Sequence, residues 1–336
     1  MALVRLLRRL LLVALVLGLG AAGAGWWYLS QPLPLPRTPY DFTVTGGSSL
    51  SGVARRLTAD GVLPHPGPLI ALARWRGVDR AIKAGSYEVE HGITLPELLA
   101  RLTQGDVTQT SITIVEGQTF SDLKATLRAN RDLVKQVVDL PNAELLARLG
   151  LAAPHPEGQF FPDTYFFATG STDLAVLKRA HRSLTERLEA SWAKRAPGVP
   201  LATPYAALIL ASIVEKETGR AADRPLVASV FINRLRQNMR LQTDPTVIYG
   251  LGSAFDGNLR KRDLESDTPY NTYTRDGLPP TPIALASQAS IDAVLNPPQT
   301  PYLYFVSRGD GSSEFSASLA EHNRAVARYQ LKRSGS

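Results

Sequence analysis

From Leu10 to Leu29 the chain carries no charged residue, and this apolar run is about the length a helix needs to cross a bilayer. Arg5, Arg8 and Arg9 precede it, and Trp26, Trp27 and Tyr28 close it with the amphipathic rings typical of a membrane interface. The positive-inside rule then predicts residues 1–9 as a cytoplasmic tail, 10–29 as a transmembrane helix, and everything beyond on the outer side. Ala22-Gly23-Ala24 offers a competing reading, the small-residue site of a cleaved signal peptide. The run continues past those residues through the aromatics, which favours retention as an anchor.

Hydrophobic residues make up 44% and charged residues 20% of the 336, so enough apolar surface exists for one or two folded domains behind the anchor. The net charge of +7 suits polyanionic surroundings such as lipid headgroups or an anionic wall polymer. Nucleic acid is disfavoured as a partner, because the basic residues are scattered and no basic tract interleaves with aromatics. Cysteine is absent, which excludes disulfides and thiolate chemistry. The five histidines, His65, His91, His155, His181 and His322, show no paired metal-ligand spacing, and no phosphate-binding or dinucleotide fingerprint occurs. No metal or cofactor is expected.

Residues 30–40 (QPLPLPRTPY after Ser30) read as a proline-stiffened linker. Residues 41–105 alternate strand and helix signals. DFTVT precedes GGSSL, where Ser48 or Ser49 can cap a helix through Leu50, Val53, Ala54 and Leu57; a helix near Leu69–Trp75, the strand GSYEVE and the helix LPELLARLTQG follow. The pattern is α+β. A strand followed by G-S-S-L-x-x-V-A-x-x-L is similar to a LysM module, a fold implied to grip N-acetylated glycans; an ordinary capped amphipathic helix fits the same letters. Residues 106–336 form a larger mixed α+β region, with a strand at Ser111–Glu116, helices near Phe120–Ala129 and Asp173–Arg195, and a strand–turn–strand–helix tail from Tyr302.

Pro204 and Gly219 bracket a helix in this region. At 3.6 residues per turn, Ala206, Leu210, Ile213 and Glu217 share its most apolar stripe, while Glu215 points to the side of Ser212 and Leu208. A carboxyl closing a buried face loses solvation, its pKa rises, and it becomes available as a general acid near neutral pH. A buried ion pair with Arg220, Arg224 or Arg234 explains the same pattern, and helix geometry alone favours that plainer reading. Gln242 and Asp244, before Pro245, and Tyr249, Tyr270, Asn271 and Tyr273 are of the types that bond to or stack on sugars; the same residue types also order turns. Val247–Tyr249 can be strand or helix.

EGQFFPDTY (Glu157–Tyr165), ASIVEKET (Ala211–Thr218), VASVFINRLRQNMRLQTDPTVIYGLG, YNTYTRDGLPP, PYLYFV and EHN together resemble the endolytic murein transglycosylases of the YceG-like family. The resemblance covers most of the chain. It implies a YceG-like catalytic domain at 106–336, and it places the family's catalytic acid and base on Glu217, the second glutamate of the E-K-E triplet. It further implies non-hydrolytic cleavage of the bond between N-acetylmuramic acid and N-acetylglucosamine, leaving 1,6-anhydro ends. Gln242, Asp244, Tyr249, Tyr270, Asn271 and Tyr273 would position the sugars. The expected partners are the glycan strands, the bacterial cytoplasmic membrane with the N-terminus inside, and peptidoglycan synthases nearby. After LPP this chain has TPIALASQAS where the family often has Pro-Gly, so the turn at Ala284–Ser287 is expected to differ. The rival is a membrane-tethered, non-catalytic scaffold that binds peptidoglycan.

Overall fold

A computed structural model describes residues 2–44, 47–83, 85–104, 109–168 and 171–330. The chain divides into two compact units, Met1–Ser111 with Phe166–Thr169, and Ile112–Tyr165 with Gly170–Ser336. The division falls near Ser111, a few residues beyond the expected boundary.

The first unit opens with helix α1 (Ala2–Ser30). Leu12, Val13, Leu15, Val16, Leu17 and Leu19 on it are exposed, as are Trp26 and Trp27. Among the described residues no helix is long and apolar enough to cross a membrane. The side chains of residues 1–11 and 14, which include Arg5, Arg8, Arg9 and part of the expected span, lie outside those described. The proline-rich segment is not a free spacer. Leu33 is buried, its N–H donates to Ile93 O at 2.8 Å, and Pro32 bridges Thr94, because an apolar leucine between prolines finds an apolar wall to cover.

Strand β1 (Tyr40–Val44), helices α2 (Leu50–Ala59) and α3 (Gly67–Trp75), strand β2 (Gly85–Val89) and helix α4 (Leu95–Gln104) complete this unit. The strands pair antiparallel, Tyr40 opposite Val89 and Val44 opposite Gly85. Alternate residues Tyr40, Phe42 and Val44 face inward, as a half-buried strand requires. They meet Leu50, Val53, Ala54 and Leu57 of α2 and Leu95, Leu98, Leu99 and Leu102 of α4, which repeat at helical spacing. Ser49, not Ser48, caps α2, its hydroxyl accepting from Gly52 N at 3.2 Å.

The second unit contains α5 (Phe120–Ala129), α6 (Asn142–Leu149), α7 (Asp173–Ala193), α8 (Pro204–Glu217), α9 (Arg224–Arg236), α10 (Asp244–Leu251), α11 (Lys261–Glu265), α12 (Gln288–Leu295) and α13 (Leu319–Tyr329). Strands β3 (Gln109–Thr113) and β4 (Thr164–Ala168), each divided between the first and second units, make one ribbon. Strands β5 (Tyr304–Ser307) and β6 (Ser313–Ser316) make an antiparallel hairpin, with Tyr304 opposite Ser316. Val247–Tyr249 is helical.

The centre of this core is α8. Thr203 caps it by accepting from Ala206 N, and Pro204 supplies the preset first turn. Every residue from Ala207 to Val214 is buried, with α7, α9, α10 and α12 packed around the helix. The helix is therefore apolar on all sides, not along one stripe, and nothing about its middle distinguishes the faces of its two terminal glutamates. That distinction arises at its end.

Candidate active site

Glu215 and Glu217 leave the last turn of α8 into different surroundings. The Glu215 carboxylate accepts from Ser287 N at 2.9 Å, from the Ser287 hydroxyl and from the Ser290 hydroxyl at 2.6 Å. Arg224 lies 3.8 Å away, and both side chains are largely buried. The loop before α12 thus closes onto Glu215: Ser287 also caps α12 by accepting from Ser290 N. Nearby, Gly117 N donates to Leu285 O and Leu285 N to Gln118 O, so the TPIALASQAS turn is tied on both sides. Arg224, one of the arginines considered for pairing with Glu217, pairs with Glu215 instead.

Among the described residues Glu217 has one hydrogen-bond donor, the Thr243 hydroxyl. Thr243 stands at the N-cap of α10 yet makes no side-chain cap, because its hydroxyl is turned to the carboxyl. An unmade cap costs about 1 kcal/mol. Burial pushes the Glu217 carboxyl up to about 7; the Thr243 hydrogen bond opposes this, Asp244 adds to it, and Arg234 opposes it. Arg234 makes no salt bridge to Glu217 among the described residues. Its guanidinium is spent on Leu303 O at 2.7 Å, Arg240 O at 3.1 Å, Leu241 O at 2.8 Å and Gln242 Oε1 at 3.3 Å.

The carboxyl opens into a cleft of about 640 Å³ whose lining includes Arg234, Gln242, Asp244, Tyr273, Tyr304 and His322. Gln242 sits at φ 51°, a left-handed conformation costly for a side chain with a Cβ, and holds the turn that brings Thr243 and Asp244 to Glu217. The Tyr273 hydroxyl donates to Asp244 at 2.5 Å, and burial followed by this bond raises the phenol's pKa. Across the cleft, Arg234 lies 5.1 Å over the Tyr304 ring, which stacks on His322 at 5.3 Å. Such a cation–aromatic wall suits the apolar face of a pyranose. Tyr304 and His322 received no role from residue type or spacing. Their signal was the PYLYFV and EHN strings, whose distance from α8 in sequence gave no sign of closeness in space.

The remaining candidates stand elsewhere. Asn271 is fully buried and faces neither cavity. Its amide donates to Asp263 O, Leu264 O and Ser266 O and its carbonyl accepts from Tyr273 N, so its hydrogen-bonding capacity is consumed in ordering its own loop. Tyr249 and Tyr270 pack edge to face, 4.9 Å between centroids, and line a second cavity of about 1100 Å³.

A second buried carboxyl, Glu157, belongs to that cavity. It accepts from Phe120 N at 2.9 and 3.0 Å through its two oxygens and from the Tyr249 hydroxyl at 3.0 Å. Burial pushes it up to about 7, against those hydrogen bonds and the Gly158 N–H. Gly158 adopts φ +74°, and a Cβ there would fall 2.4 Å from Pro282 Cβ, so only glycine lets the EGQFFP turn close. Among the described residues no group of three or more His, Asp or Glu gathers as a metal site.

A mixed α+β core that presents one sparsely bonded, protonatable carboxyl to a polar, aromatic-walled cleft defines a site for general acid–base chemistry on a polar substrate. The sequence matches the YceG-like family over residues 42–328, and the chain belongs to that family. It is 33% identical over 315 residues to the endolytic murein transglycosylase of Bacillus subtilis strain 168, covering 87% of this chain and 85% of that one. It is 26% identical over 358 residues to the endolytic murein transglycosylase of Streptococcus pneumoniae D39, covering 93% of this chain and 63% of that one. A crystal structure of a yceG-like protein from Listeria monocytogenes superposes with a TM-score of 0.53 at 29% identity, covering 85% of this chain and 99% of that one.

Proposed function

We propose that this chain is an endolytic murein transglycosylase, a lyase that cuts peptidoglycan glycan strands between N-acetylmuramic acid and N-acetylglucosamine, with Glu217 as both acid and base. The observation that carries this reading is the Glu217 carboxyl, raised to about 7 in an open cleft and held by the Thr243 hydroxyl. Protonated Glu217 gives its proton to the leaving glycosidic oxygen as the bond to C1 breaks. The acetamido oxygen of the muramyl residue shields the cationic C1. Glu217, now a carboxylate, takes the proton of the C6 hydroxyl as that oxygen closes on C1, so the proton count balances and no water is consumed. The nucleophile is intramolecular, which gives it a high effective concentration. Gln242, Asp244 and Tyr273 hold the sugar in the cleft.

In the same reading α1 anchors the chain in the bacterial cytoplasmic membrane. The N-terminus lies inside, and the enzyme faces the periplasm or the corresponding outer space, within reach of peptidoglycan synthases. The exposed apolar residues along α1 support the anchor. The strand–helix–helix–strand order with paired outer strands supports a LysM-like glycan-binding role for residues 41–105.

Asp244 in the same cleft favours one alternative, a two-carboxylate hydrolase with Asp244 activating water. Mass spectrometry of uncrosslinked glycan strands digested in water labelled with heavy oxygen separates the two. The lyase yields anhydro-muramyl ends without label, and Glu217→Gln yields none. Labelled reducing ends would overturn the lyase in favour of the hydrolase, and no cleavage by the wild type would leave only the scaffold.

A further inference from the structure

The Tyr249 cavity and the Glu217 cleft are separated by a thin ridge. Lys216 and Glu217, adjacent in the chain, line opposite sides, and so do Pro245 and Asp244. Neighbouring Cα atoms are about 3.8 Å apart, so a polymer in the cleft that crosses this ridge enters the cavity directly.

The cavity is large enough for a drug-sized or disaccharide-sized group, at about 1100 Å³. Its cations are unevenly used. Arg128 is paired with Asp139 at 2.7 Å. Lys124 instead points its ammonium at Leu140 O, 3.2 Å away, and Lys216 at Gly117 O, 3.1 Å away. Neither lysine makes an ion pair among the described residues, although both line the cavity. The two carboxyls on the same wall are already committed: Asp122 accepts from Thr119 N and the Thr119 hydroxyl, and Glu157 accepts from Phe120 N and Tyr249. Two ammonium groups whose hydrogen-bond partners are backbone carbonyls, lining one cavity with an aromatic pair, form a site for a carboxylate carried on a glycan strand.

We propose that this cavity binds the carboxylate-bearing, peptide-substituted part of the same glycan strand, with Lys124 and Lys216 as the anion contacts and Tyr249 and Tyr270 as the apolar wall. This rests on the proposed function and adds to it a second subsite, on the side of the ridge away from Glu217. The enzyme then distinguishes strands whose stem-peptide carboxylates are free from strands in which they are neutralised. It also gives Tyr249 and Tyr270 a place in recognition that the Glu217 cleft does not offer them.

The test is equilibrium binding to the full chain in detergent micelles, carrying Glu217→Gln so that no strand is consumed. The probes are fluorescently labelled uncrosslinked strands with free stem-peptide carboxylates and the same strands with those carboxylates converted to amides. Amidation is expected to weaken binding about tenfold. Adding Lys124→Gln and Lys216→Gln removes the difference between the probes, whereas the charge-preserving Lys124→Arg and Lys216→Arg keep it. Equal affinity for both probes in the starting protein, or an undiminished preference after both lysines become glutamine, overturns the proposal. A preference that behaves as expected while the wild type makes no anhydro ends would sink the catalytic reading and leave the binding site standing.

Discussion

Two glutamates two residues apart at the end of α8 have opposite environments, and the contrast separates a carboxylate tied into the fold from one left open to a cleft. Glu215 is saturated by Ser287, Ser290 and Arg224, and its partners lie on the segment that closes the core. Among the described residues Glu217 has a single donor, a threonine that leaves its own helix uncapped, and the carboxyl looks into a cleft. A buried charge with a full set of partners holds a fold together but has no free lone pair or proton to offer a substrate. A buried carboxyl with few partners is poorly stabilised as an anion, keeps its proton, and can give it away.

Neutralising each carboxylate in turn separates the two environments by their effects. Glu217→Gln should lower the rate of anhydro-end formation at least a thousandfold, about the scale of a lost general acid, without lowering the urea midpoint. Glu215→Leu should do the reverse. It strands Arg224 and three hydrogen-bond donors, and should cost about 3 kcal/mol of stability in urea unfolding, with the folded fraction retaining activity.

A third, intermediate effect concerns pH. The folded Glu157 carboxyl sits near 7 against an ordinary 4.5, so between those values the folded state binds more protons than the unfolded one. Its contribution to stability is fully present below pH 4.5 and is lost as pH rises through 7. Glu157→Gln should therefore flatten the fall in stability across that window by up to about 3 kcal/mol, measured as urea midpoints at several pH values.

The smallest effects should move the Glu217 titration itself in opposite directions. Thr243→Val removes the hydrogen bond that favours the carboxylate, so the basic limb of kcat/KM should move up by up to about one pH unit. Asp244→Asn removes a neighbouring negative charge, so the limb should move down by a similar or smaller amount. Both shifts are read from pH–rate profiles on uncrosslinked strands, and shifts of the same sign would contradict the electrostatics described for the cleft.

Much of this was legible in the sequence because local rules dominate there. Proline at the first turn of α8, leucines at helical spacing in α2 and α4, and alternation in β1 each encode their own element. The stripe that singled out Glu217 was less informative than it looked. The helix is buried all round, and the two glutamates differ through Thr243, Arg224, Ser287 and Ser290, which arrive from other parts of the chain. Residue type singled out Tyr249, Tyr270 and Asn271 as able to bond to sugars, but whether a side chain faces a cleft depends on tertiary direction. Asp244 and Tyr249 share one short helix and reach different cavities, and Asn271 spends its amide inside its loop. The proline-rich segment is a related case: proline content encodes stiffness, not whether an intervening Leu33 finds an apolar wall.

The claim that Glu217 acts as a protonated acid is tested most directly by the pH dependence of kcat/KM for the wild-type chain on uncrosslinked strands. The expected profile is high below neutrality and falls with a single limb centred near 7, tracking the loss of the Glu217 proton. A profile that stays flat from about pH 5.5 to about pH 9, or that rises with pH across that range, would contradict it.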